Sequence, residues 1–468
     1  MPSIASVGAR APLPTVVAFG SVGVPVAALV MITTIYLPRY CVELGLSFMA
    51  VVAAITTVRA IDIAFDPLIS LLMDRTKTPI GRYRPWLILG APVMMLATRM
   101  LLAPQVTMTP AYLIVWLLVV YAGLSMVTLG LAAWAAVLAT SYHDRARVYG
   151  LVQGLAAVGS VSILVLPPLF SRGQVVLGKA SSMPIISGIL IVLIPVTLLI
   201  CTVFTPEKAP PSVKREHFSI RAIVAAISHP AALRVVAADL LLALGPGACA
   251  PLFVYFFHDA KKFDQVDVNL LLVFGIAAMV VGAPFWGWIA QRLNKHRTVQ
   301  VAALCFSVSQ AILTFLPERQ FILNAAGMFT VGFSMSAFIP LVRAMIADVT
   351  DVVKLDYNRD LTSLLFSMVT TVEKIGNSVT VLVVFPILAV VGYNGKVGAI
   401  NTPHAIFGLE MCFLLVPIAF VAAGAVLLAG YKLDPERHAE VRAALDAREA
   451  AIALEEIALP DGDGAVQT

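Results

Sequence analysis

The chain carries about a dozen stretches of roughly 20 mostly apolar residues, the length an α-helix needs to cross a bilayer. A hydrocarbon core offers no water to unpaired backbone groups, so each stretch must close its own hydrogen bonds, and a bundle of helices follows. The runs fall near 15–37, 47–72, 86–104, 110–140, 148–170, 182–204, 229–257, 268–290, 298–316, 320–347, 361–392 and 405–430. The expected fold is an all-α polytopic membrane protein with twelve transmembrane helices. Composition points the same way: only 13% of the 468 residues are charged, against about 25% in an average soluble chain.

The loop charges orient the bundle. Residues 1–14 lack the apolar segment of a cleavable signal, so insertion is expected to begin with the first helix. Counted from an inside N-terminus, one set of loops holds Arg75, Lys77, Arg82, Arg84, Arg145, Arg147, Lys208, Lys214, Arg215, Arg221, Arg292, Lys295, Arg297, Lys354 and Arg359. The opposite loops hold only Arg39, Arg172, Lys179, Lys261, Lys262, Arg319 and Lys396. This asymmetry predicts both termini in the cytoplasm of a multi-pass protein of the cell inner membrane, with the lipid bilayer as its surroundings. The net charge of +5 sits in these topology loops and forms no aromatic-interleaved stripe, so no nucleic-acid partner is expected.

Cys41, Cys201, Cys249, Cys305 and Cys412 are scattered through apolar runs, which predicts neither a disulfide framework nor a metal site. The chain has no GxxxxGK[ST] loop, HExxH pair or GxSxG elbow, so neither an ATP-driven pump nor an enzyme is expected, and no cofactor.

A hydrophilic break, TPEKAPPSVKREHFS, separates helices six and seven. It divides the chain into an N-terminal half at 1–204, a cytoplasmic linker at 205–228, a C-terminal half at 229–430 and a cytoplasmic tail at 431–468. DPLISLLMDRTKTPIGRYRPW after helix two has a faint echo in GAPFWGWIAQRLNKHRTVQ after helix eight. Two pseudo-symmetric six-helix halves joined by a basic loop is the layout of the major facilitator superfamily. In the tail, Asp434-Pro435 reads as an N-cap and first helical position. The helix that follows has only a thin apolar stripe of Val441, Leu445 and Ile452, which predicts a solvated tail rather than a partner-binding one.

A charge near the middle of a spanning helix costs on the order of 2.5–3.5 kcal/mol on insertion scales, so it marks function by default. Helix two carries Arg59, Asp62 and Asp66 at spacings of three and four, on one helical face. Asp62 lies roughly 22 Å from the outer end at 1.5 Å per residue. Two carboxylates one turn apart beside a guanidinium can hold a cation or share a proton. A structural Arg59–Asp62 pair would not need the second aspartate. In helix eleven, Glu373 and Lys374 lie deep in the span and point about 100° apart, so at least one should face a cavity and meet a group from another helix. Asp348 and Asp351, followed by Arg359, and Asp144, Arg145 and Arg147 sit at cytoplasmic helix ends, where ionic latches between the halves are expected. Asp239 is a candidate on helix seven, with Arg234 as a possible partner, and Arg99 is expected to snorkel outward.

The run RAIDIAFDPLISLLMDRTKTPIGRYRPWLILGAP resembles the signature of the glycoside–pentoside–hexuronide:cation symporters, the melibiose permease group of the major facilitator superfamily. RAMIADVTDVVKLDYNRD and the helix-eleven lysine extend the resemblance over most of residues 15–430. It implies a secondary transporter that moves a sugar, glycoside or related small organic solute by alternating access, coupled to a cation. It implies that Asp62 and Asp66 bind the cation, with Lys374 near them and Arg59 alongside, and that Trp134 aligns with the family's tryptophan; Trp134, Glu373, Asp239 and Asn377 are the candidates to border the solute. It further implies a cytoplasmic gate at Asp74, Arg75, Gly81 and Arg82, continued by Arg145, Asp348, Asp351 and Arg359.

Two departures bear on the solute and the ion. The family's sugar-binding aspartates appear as apolar residues near Pro25 and as Gly130, and its helix-five arginine is absent. A site without those polar partners should disfavour a hydroxyl-rich ring and admit a more apolar solute, such as a glycosylated aromatic, a terpenoid or a lipid-like molecule. Phe65 stands where the family has a sodium-binding asparagine, which favours H+ over Na+ as the coupling ion. A proton-coupled exporter, an uncoupled facilitator and a non-transporting receptor are the alternatives.

Overall fold

The computed structural model describes residues 12–76, 78–138, 142–170, 173–177, 179–207, 228–357, 362–396, 399–431, 433 and 435–458. The linker at 208–227 and Arg359 lie outside them. The chain runs as α1 (Leu13–Glu43), α2 (Phe48–Arg75), α3 (Arg84–Leu102), α4 (Pro110–Leu138), α5 (Tyr142–Phe170), α6 (Met183–Phe204), α7 (Pro230–Ala260), α8 (Gln265–Leu293), α9 (Lys295–Phe315), α10 (Phe321–Tyr357), α11 (Thr362–Val390), α12 (Pro403–Ala429) and α13 (Pro435–Ala458).

Local chemistry sets many of these boundaries. Ser47, Asp264 and Thr402 accept the backbone N–H three residues on and cap α2, α8 and α12. Proline opens α7 and α12, where its missing N–H is one of the unpaired donors of a first turn. Ten of the described helices are long and apolar enough to cross a membrane. The two that complete the set of twelve, α2 and α11, carry the Arg59, Asp62 and Asp66 group and the Glu373 and Lys374 pair. Lipid-facing side chains such as Leu199, Leu304 and Phe315 are at least 64% exposed, and apolar solvent on the outside removes the cost of that exposure.

The packing repeats with an offset of six helices. In the first half α1 packs on α5 and α6, α2 on α4, and α3 on α4 and α6. In the second, α7 packs on α11 and α12, α8 on α10, and α9 on α10 and α12. The halves meet through α1 with α7, α2 with α11, and α5 with α8. This is the all-α major facilitator fold.

The tail differs from the expectation. Helix α13 lies against the end of α10, with Val441 and Leu445 only 6% and 3% exposed. The thin stripe is enough because the polar flank is matched too. His438 Nε2 reaches Asp351 at 3.0 Å and Arg442 Nη1 reaches it at 3.4 Å. The described part of the tail is therefore docked rather than solvated.

Candidate coupling site, gates and cavities

On α2, Arg59 extends over the ring of Tyr121 on α4, with its guanidinium carbon 4.3 Å from the ring centroid. Thr33 on α1 and Asp62 both lie close enough to the Tyr121 hydroxyl to act on it electrostatically, and the Thr33 hydroxyl donates to the Val30 carbonyl at 3.0 Å. Asp62 is buried and Asp66 half-buried. A cation over a desolvated aromatic face gains about 2 kcal/mol, which helps hold Arg59 inside the bundle. Thr33 lies in a π-helical turn, Ile32–Tyr36, that re-aims the side chains of α1, and such turns recur at functional sites. Tyr121 and Thr33 were not legible as site residues, because nothing in a run of apolar sequence distinguishes them from core.

Helix α11 runs antiparallel to α2, and Phe48 and Phe385 pack edge to face at 4.8 Å near the outer end. Lys374 is eleven residues inward of Phe385, and Arg59 is eleven inward of Phe48. Both therefore sit about 16 Å below that contact, at one depth. The side chains of Glu373, Lys374 and Asn377 lie outside the described residues, as do those of Asp74 and Arg145.

Three expectations change. Trp134 offers no stacking face: it is fully buried, with Phe19 edge-on at 5.7 Å and the Arg84 guanidinium 5.6 Å from its ring. Asp239 is buried on α7, but Arg234 donates to the Gly430 carbonyl at the end of α12. Asp348 and Asp351 bridge within the C-terminal half and its tail: Lys295 Nζ lies 2.6 Å from Asp348, and His438 and Arg442 take Asp351. Arg99 donates to the Ala103 carbonyl at the end of its own helix.

The loop after α2 is tied down from a distance. Gly81 has φ +120°, and a Cβ there would fall 2.0 Å from the Glu207 carboxylate. Glu207, just beyond α6, accepts the backbone N–H groups of Arg82, Tyr83 and Arg84 at 2.5, 2.8 and 3.3 Å, and so caps α3. Arg82 Nε donates to the Met73 carbonyl in the last turn of α2 at 3.2 Å, and Arg75 is exposed. Glu207 escaped sequence reasoning, though a Pro-Glu pair directly after a spanning helix is a usable signal.

The described contacts that join the halves cluster at the end the loop charges assign to the outside. Tyr36 donates to Asn269 Oδ1 at 2.7 Å, and Asn269 Nδ2 donates to the Leu177 carbonyl at 2.9 Å. Arg39, 4% exposed, lies 3.1 Å from His258 Nδ1, 3.7 Å from Glu43 and 3.9 Å from Asp259. Tyr393 donates to the other Asp259 oxygen. Burial, and then the Asp259 charge, raises the pKa of that hydroxyl, which keeps it a donor. His258 and Asp259 lie in a second π-helical turn, Phe256–Ala260, at the end of α7. This outer clamp was not anticipated.

Removing Arg39 takes the shared cation from Glu43 and Asp259 while His258 still reaches Asp259 at 2.5 Å, a loss on the order of 1–3 kcal/mol. In Arg39→Gln, spin labels on the exposed positions Lys179 and Lys396, in a background without native cysteines, should show a wider inter-half distance. The population of the wide component should rise about ten-fold, since 1.4 kcal/mol is already a factor of ten. An unchanged distribution would remove the clamp from the gating argument.

Three cavities border this framework. An outer vestibule of about 820 Å³ is lined by Arg39, Glu43, Lys179, His258, Asp264 and Lys396, among others. Between α5 and α8 runs a crevice of about 580 Å³, lined by residues such as Leu151, Leu155, Val158, Ile276 and Val280, with Ser162 the one polar side chain among the described lining residues. Between α1 and the second half lies a third space of about 190 Å³, lined by residues of α1, α7, α8, α9, α10 and α12.

The family profile described as MFS/sugar transport protein matches residues 18–435. The human sodium-dependent lysophosphatidylcholine symporter 1 is 24% identical over 425 residues, covering 83% of this chain and 77% of that protein. The putative glycoside/cation symporter YagG of Escherichia coli is 24% identical over 394 residues, covering 81% and 83%. The isoprimeverose transporter of Lactiplantibacillus pentosus is 23% identical over 419 residues, covering 86% and 85%. Crystal structures of the nucleoside transporter NupG and of a bacterial homologue of the lysosomal transporter Spinster each superpose with a TM-score of 0.64 at 12% identity, over 89% and 90% of this chain and 98% of theirs.

Proposed function

Since this chain belongs to the MFS/sugar transport protein family, we propose that it is a proton-coupled symporter of the cell inner membrane that takes up an amphiphilic organic solute. The observation that carries the coupling is the buried Asp62 with Asp66 one turn away and Arg59 held over Tyr121, on the helix packed against α11. A proton needs only a carboxylate, whereas sodium wants several oxygen ligands, and Phe65 beside Asp66 supplies none. The human relative is named as sodium-dependent, so the ion is tested directly.

The α5–α8 crevice carries the solute class. An almost wholly apolar wall suits a hydrocarbon portion, with the charged residues of α2 left to serve the ion. The printed name of the human relative, a lysophosphatidylcholine symporter, fits an amphiphile. The bacterial names favour a second reading, a compact glycoside, which the missing sugar-site carboxylates weigh against. In either case, protonation at Asp62/Asp66 would favour loading from outside, and release of both at the cytoplasmic face would reset the cycle.

Proton flux in energised vesicles tests this, with sugars, glycosides and single-chain amphiphiles as solutes and Asp66→Asn as the control. Amphiphile-dependent alkalinisation outside, absent in the variant, is the expected result. Alkalinisation with glycosides alone moves the second reading ahead, and uptake driven only by sodium jumps replaces the ion. Movement down a solute gradient that ignores both ions leaves a facilitator, and binding without flux a receptor.

A further inference from the structure

The space of about 190 Å³ between α1 and the second half has an unusual polar side chain in its wall. Gln310 on α9 is fully buried and lines it. Its amide nitrogen donates to the Phe413 carbonyl at 2.8 Å and reaches Cys249 Sγ at 3.7 Å, which fixes the orientation of the amide. The other end, Oε1, has no hydrogen-bond partner among the described residues. Such an orphaned acceptor costs free energy unless something donates to it. The remaining walls are apolar, with Ile35, Phe253, Ile276, Met328 and Phe413 among them. Ile276 also lines the α5–α8 crevice, so the two spaces share a wall residue.

We propose that this cavity is a binding subsite for a hydroxyl-bearing six-membered ring, with the ring against the apolar walls and its hydroxyl donating to Gln310 Oε1. The volume agrees: an engineered apolar cavity of about 150 Å³ takes up benzene, so this one holds a single ring with one or two small substituents. One acceptor in an apolar box selects for one donor, because an isostere without it leaves the acceptor unpaired. The role as a subsite for the apolar end of a transported solute rests on the transporter reading. The binding itself does not.

The test is equilibrium binding of p-cresol and p-xylene, equal in shape and differing by the hydroxyl, to the full-length protein in nanodiscs without any gradient. Stabilisation against thermal unfolding is the readout, since a ligand of the folded state raises the transition temperature by mass action. The preference for p-cresol should fall about ten-fold in Gln310→Leu, a ratio in which lipid partitioning of each probe cancels. Val331→Phe fills the cavity while retaining Gln310, and should abolish binding of both rings even if Gln310→Leu folds poorly. An equal preference in parent and Gln310→Leu overturns the assignment. So does the absence of binding by either ring, which would leave Oε1 to a buried water. Failure of proton coupling would leave this binding result untouched, so the two readings fail separately.

Discussion

Asparagine in place of Asp62 should reduce solute accumulation driven by an imposed pH gradient of about two units from roughly 100-fold to none, while exchange down a solute gradient stays within about three-fold of the parent. One coupled proton transmits about 1.36 kcal/mol per pH unit, so two units support about a hundred-fold accumulation. That transmission requires a group whose protonation differs between the two faces of the cycle, since a gradient acts only through differential binding. Asparagine keeps the size and hydrogen-bonding reach of the buried side chain and removes only its titration. Asp62→Glu should retain part of the accumulation, since its carboxylate survives one methylene displaced. The measurement is the steady-state internal concentration of the solute identified by proton flux. Undiminished accumulation in Asp62→Asn would move coupling to Asp66 or to the buried Asp239.

The smallest possible side chain at Gly332 is expected to be among the most damaging changes in the second half. A Cβ there would fall 2.3 Å from the Gly275 carbonyl oxygen and 3.0 Å from that residue's Cα and carbonyl carbon. All three are backbone atoms of α8, so no side chain can swing aside, and α10 must back away from α8. Overpacking of this kind typically costs 1–3 kcal/mol, and a backbone obstacle puts Gly332→Ala on the order of 3 kcal/mol or above. Small residues at helix contacts allow this approach inside membranes, where dispersion between close backbones takes the place of the hydrophobic drive. Gly188→Ala on α6, where nothing lies within 4 Å of an added Cβ, is the matched control and should be neutral or slightly stabilising. Thermal unfolding in a mild detergent separates them: a fall of about 10 °C or more for Gly332→Ala against little change for Gly188→Ala. Equal stability would mean that the α8–α10 spacing is not set at this crossing.

The architecture was legible because it follows from terms that act locally along the chain. Bilayer thickness sets the length of an apolar run, the hydrocarbon core forces each run to satisfy its own backbone, and a charge inside a run stands out by its cost. Arg59, Asp62, Asp66, Glu373 and Lys374 could be singled out on that ground alone. So could the fold, and with the signature around Asp62 the family that the profile over residues 18–435 establishes. Other features depend on which side chains meet after packing, and no local term reports that. Glu207 caps a helix more than a hundred residues earlier, and its carboxylate lies where a Cβ at Gly81 would fall. Trp134 reads equally well as a ligand platform or as core until Phe19 and Arg84 cover it. The outer clamp of Arg39, His258, Asp259 and Tyr393 joins α1, α7 and the connection after α11, and the Asp348–Asp351 pair takes its partners from α9 and the tail. By itself, then, the sequence determined the number of spans and which of them bear charge, because bilayer transfer is a property of each segment alone. Which charges pair, which faces touch and where cavities remain were decided only by the tertiary structure, because those are properties of surfaces brought together from distant parts of the chain.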